Sequence, residues 1–62
     1  MTYRLYELDR AIARFDNYLA ASHALMREIK KTANTLKGLG YSREERVVEA
    51  RKVWRIETEA GT

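Results

Sequence analysis

Ten positions spaced alternately three and four residues apart constrain this chain more than any other feature: Leu5, Leu8, Ile12, Phe15, Leu19, Ser22, Met26, Ile29, Ala33 and Leu36. Every rung except Ser22 is apolar. On a helix that spacing gathers all ten side chains into one stripe, the pattern that seats helices against one another. The spacing therefore predicts one long helix over about 5–37, roughly 50 Å in length, with Thr2 as its N-cap. Ala11, Tyr18 and Leu25 occupy the adjoining heptad column and widen the stripe to the breadth a bundle needs.

The interior helix breakers sit together. Proline is absent, and the glycines are Gly38, Gly40 and Gly61. Gly38-Leu39-Gly40-Tyr41 reads as a turn, with Gly38 or Gly40 in the left-handed conformation that ends a helix. Ser42-Arg43-Glu44-Glu45 has the form of a capping box, the Ser42 hydroxyl and the Glu45 carboxylate each taking the other's backbone amide. A second helix is predicted over about 43–58, with Val47, Ala50, Val53 and Trp54 on one face and a frayed tail over 59–62. The expected fold is all-α: one domain over 1–62, a two-helix antiparallel hairpin that dimerises in coiled-coil fashion into a small bundle.

A chain of 62 residues buries too little surface to be comfortable alone, and such chains usually add disulfides, a metal or a partner. There is no cysteine and one histidine, so neither a disulfide nor a structural zinc set is expected, and no cofactor. A partner is the remaining route. No stretch approaches the roughly 20 apolar residues of a membrane span, and residues 1–4 do not lead into an apolar run. No signal peptide or membrane contact is expected, and a cytoplasmic setting fits a chain without cysteine.

The two helices differ in length. A second helix of roughly 24 Å covers only half of the first and leaves Leu5, Leu8, Ile12, Phe15 and the near side of Leu19 in water. Five such side chains stand for roughly 1.5–3 kcal/mol of burial each. The expected remedy is a second copy, its long helix antiparallel to the first and crossing near Leu19 to Ser22. The dimer interface is then Leu5, Leu8, Ile12, Phe15, Leu19 and Ser22.

Catalysis is not expected. His23 has Leu19, Ala20, Met26 and Arg27 as helix neighbours, none a metal ligand or nucleophile. Glu45 is taken by the cap, and Glu44 and Glu49 read as surface charges without the dry cleft that acid–base work needs. Trp54 and Phe15 read as core. Tyr41, Arg43 and Arg46 at the hairpin tip, with Tyr6 on an outer column, have the Tyr–Arg composition of protein-binding hot spots. The expected function is a small, non-enzymatic interaction protein that binds and modulates another protein. In architecture, though not in motif, such a hairpin dimer resembles the free-standing regulators and inhibitors of host proteins that plasmids and phages encode, for example those acting on a transcription regulator. The alternative is nucleic-acid binding through Arg51, Lys52 and Arg55. The formal charge of +3 permits it, although interleaved glutamates argue for a mixed surface. A helix-turn-helix reader fits poorly, since it uses a short first helix and needs further helices for its core, and a ribbon-helix-helix dimer fits poorly, since Tyr3 to Leu8 alternates weakly and the ladder speaks against a break inside the first helix.

Overall fold

A computed structural model describes residues 1–59. The chain is not all-α. Two strands, β1 (Thr2–Glu7) and β2 (Arg10–Phe15), are followed by helices α1 (Tyr18–Gly38) and α2 (Arg43–Val53) and a third strand, β3 (Trp54–Glu59). The strands form one antiparallel sheet in the order β2-β1-β3, so β1 is central.

Three corrections follow. The predicted helix over 5–37 begins only at Tyr18, capped by Asn17, whose side-chain oxygen accepts from the Ala20 amide at 2.8 Å; Thr2 opens a strand instead. The second helix stops at Val53 rather than near Thr58, and residues 54–59 are strand. The expected helical-hairpin fold does not hold, since α1 and α2 are two elements of a sheet-containing fold; the coiled-coil dimer built on a ten-rung helix, and the likeness to plasmid and phage hairpin regulators, go with the all-α fold. The frayed tail expected over 59–62 falls mostly on 60–62, outside the described residues, while Glu59 ends β3.

The physical reason is a phase change that the ladder conceals. Along β1, Tyr3 and Leu5 point to one face and Arg4 and Tyr6 to the other, as the two-residue pleat requires. Leu8 and Asp9 then turn the chain back. Leu5 faces Ala13 and Tyr6 faces Ala11, which leaves Ile12 as the extra residue of a β-bulge. Tyr3, Leu5, Ala13, Phe15, Ile56 and Trp54 thus share the inner face although their spacing is not helical.

The core is small. Leu5, Ala24 and Trp54 form its centre, with Ala13, Phe15, Leu25, Ile29, Val53 and Ile56 packed around them. Alanine at 21, 24 and 50 lets backbones approach closely: Ala21 and Ala50 are wholly buried and Ala24 nearly so. The Ser42 capping box is present, with bonds of 3.1 and 3.3 Å. Gly40, at φ +91°, rather than Gly38, carries the left-handed turn after α1.

Candidate functional site

Leu5 is only 3% exposed and Phe15 packs against the same core, so the chain itself covers these two, while Leu8 and Ile12 stay open to solvent. The six residues expected at a dimer interface are spread over five places. Leu5 is core, Leu8 is in the hairpin turn, Ile12 is in the bulge and Phe15 ends β2, while Leu19 and Ser22 lie on α1. They no longer make one continuous seam along a single helix.

An open apolar surface remains on α1. At about 31 Å, α1 outreaches strands of about 20 Å, and the molecule extends 43 × 20 × 16 Å. Its radius of gyration, 12.6 Å, compares with about 10.6 Å for a compact chain of this length. The surface is 4853 Å², against about 4,200 Å² for a typical folded monomer of 7.3 kDa. The excess, about 650 Å², approaches one partner's share of a standard protein interface.

Two depressions join along one flank of α1. The first, about 440 Å³, lies between α1 and α2 on a floor of Met26, Ile29, Ala33 and Val47, with Arg27, Lys30 and Arg51 around it. The second, about 480 Å³, continues towards the sheet, walled by Tyr3, Tyr18, Leu25 and the inward residues of β3. Met26, Ile29 and Arg51 belong to both. Met26 is 65% exposed at this junction, and Leu19, one heptad earlier on α1, is 66% exposed. The Tyr3 and Tyr18 rings meet edge to face, centroids 5.6 Å apart, and fix the end of the groove nearest the start of α1.

The charges along this groove have one sign. Every ionisable cation or anion among the residues lining its two halves is basic: Arg27, Lys30, Arg51 and Arg55. Arg55 is committed elsewhere: its Nε donates to Glu57 at 2.6 Å, its Nη1 to the Leu8 carbonyl, and its guanidinium lies 4.6 Å from the Tyr6 ring centre. Among the described residues no carboxylate pairs with Arg27, Lys30 or Arg51.

The residues singled out in the sequence do not converge on this groove. Tyr41, Arg43 and Arg46 do share the hairpin tip, where the Tyr41 carbonyl accepts from Arg46 at 3.3 Å. Tyr6 is on the outer face of the sheet beneath Arg55, on a different element. Of Arg51, Lys52 and Arg55, only Arg51 lacks an intramolecular ion pair among the described residues, since Lys52 bonds Glu49 at 3.1 Å. His23 is exposed in a shallow depression with Phe15, Ala20, Met26 and Arg27. The sequence reading missed Met26, Ile29 and Val47 as a surface because the lower half of the ladder was taken as buried seam.

No helix of the described residues is long and apolar enough to cross a membrane, and among them no three His, Cys, Asp or Glu residues cluster to hold a metal ion. Compared with known proteins, the chain matches no family model, no curated protein and no solved structure.

Proposed function

We propose that this protein is a small, non-enzymatic binding module that docks on another protein through the groove along α1 and so modulates it. The observation that carries the reading is Met26, a large apolar side chain 65% exposed on the floor shared by both halves of the groove. Apolar surface gathered into a concavity with a polar rim is the usual form of a protein-docking site. Among the described residues, the exposed His23 and the mixed surface charges supply no assembled acid, base and nucleophile. A cytoplasmic setting belongs to the same proposal, on the lack of cysteine.

Nucleic-acid binding is the weaker reading. Its residues Lys52 and Arg55 are already paired, and phosphate contact makes no use of an apolar floor.

A photo-crosslinking amino acid placed at Met26, and separately at Glu57 on the outer face of the sheet, tests the proposal in lysate of the native host. A protein adduct from position 26 alone, lost when Val47→Asp is added, is expected. Nucleic acid captured from position 26, or equal capture from both positions, would overturn it.

A further inference from the structure

We infer that the groove takes an amphipathic helix of the partner protein, with carboxylates beside its apolar face; this rests on the protein-binding reading above. The shape of the occupant comes from α1. Leu19, Ser22, Met26, Ile29 and Ala33 retain the three–four spacing, and Leu19 and Met26 are open to solvent. A stripe of that period receives another helix, knobs into holes. The α1 residues that line the groove, Tyr18 to Ala33, span about 22 Å, the length of about four helical turns.

A strand added to the free edge of β3 would suit only half the groove. Beyond Trp54 the wall is α2, contributing Val47 and Arg51, where no sheet edge is offered. A helix can follow the whole length.

The chemistry of the occupant comes from the rim. Arg27, Lys30 and Arg51 surround the apolar floor with no carboxylate of their own. Glu28 is directed away, its carboxylate 3.6 Å from Lys31. A partner with acids flanking its apolar face completes three ion pairs. A second copy of this chain, groove to groove, would set these cations against their own kind, a juxtaposition that costs association.

The test uses the full chain and designed peptides of about 15 residues. One carries leucines at three–four spacing flanked by glutamates. A second replaces each glutamate by lysine. A third keeps the glutamates but distributes the leucines around the helix. By fluorescence anisotropy the first is expected to bind at least about tenfold more tightly than either of the others. The double variant Arg27→Glu with Lys30→Glu, both exposed, should weaken the first peptide about tenfold and strengthen the second. Arg10→Glu, exposed on β2 away from the groove, removes the same kind of charge and should change neither. Circular dichroism checks that each variant keeps its helices.

Equal binding of the lysine peptide, or of the scattered-leucine peptide, would overturn the inference. So would no binding of the first peptide at millimolar concentration, its displacement by a DNA or RNA oligonucleotide, or a dimer that Met26→Asp splits into monomers. A protein adduct from position 26 together with indifference to peptide charge would leave the docking reading standing and sink the helix-and-acid inference alone.

Discussion

The indole Nε1–H of Trp54 donates to the Thr32 hydroxyl at 2.7 Å, tying the first residue of β3 to α1. Trp54 is also the largest side chain of the core cluster, so one residue joins the sheet to the helical hairpin. Thr32→Val preserves the shape and leaves a largely buried donor without a partner, a cost of about 1–3 kcal/mol. Thr32→Ser should recover most of it. Trp54 is the only tryptophan, so urea unfolding followed by its fluorescence reads both variants directly.

Leu8 stands at φ +55° in the turn between β1 and β2, a region that β-carbon sterics disfavour. It is held by both backbone groups: its amide donates to the Val53 carbonyl at 2.7 Å, and its carbonyl accepts from Arg55. The Leu8 side chain is exposed, so glycine forfeits little burial. Relief of about 1–2 kcal/mol of strain then outweighs the about 0.4–1 kcal/mol of extra freedom glycine gives the unfolded chain. Leu8→Gly should raise the urea midpoint, by up to about 1 kcal/mol of stability. Leu8→Val, branched at the β-carbon, should lower it.

Much of the carboxyl-terminal half was legible in the residues. Ser42 and Glu45 announced their cap, the Gly38–Tyr41 segment its turn, and Trp54 its place in the core. The amino-terminal half was hidden by coincidence of period. Leu5, Leu8, Ile12 and Phe15 fit a helical step, yet a turn at Leu8-Asp9 and a bulge at Ile12 shift the phase of the pleat so that only Leu5 and Phe15 face the core. Two local signals pointed the other way. Asp16-Asn17 is helix-capping chemistry in the middle of the predicted helix, and Arg55-Ile56-Glu57-Thr58-Glu59 alternates with period two. The groove was legible as a stripe but not as a surface, because what covers a stripe depends on long-range pairing.

Asn17 therefore marks the true start of α1, and its loss measures the break. Asn17→Ala removes the acceptor of the Ala20 amide and should cost about 1 kcal/mol, while Asn17→Asp or Asn17→Ser should be nearly neutral. Under the continuous-helix reading the alanine would have been stabilising, since alanine is the better interior helix former. Denaturant midpoints of the three variants decide between these outcomes.

The Ser42 hydroxyl, and then its amide, hold the Glu45 carboxyl below the usual glutamate range. A carboxyl lowered in the folded state contributes stability that is fully present above its unfolded value, about 4.3, and is lost as pH falls through the lower folded value. Glu45→Gln should therefore flatten the acid limb of the stability profile below about pH 5 and leave neutral pH little changed. An unaltered acid limb in that variant would assign the acid sensitivity to other carboxylates.

Ile12 separates the two architectures most sharply. In a dimer of long helices Ile12→Asp would bury a charge and disrupt both assembly and fold. Here Ile12 is the bulged residue of an edge strand, 43% exposed, and an inserted charge on such an edge is tolerated and even protective against strand-to-strand aggregation. The substitution should cost no more than about 1 kcal/mol, chiefly through the poorer fit of aspartate to a strand. Sedimentation of Ile12→Asp beside the parent chain should give the same mass for both, and the groove on α1 should bind its peptide unchanged.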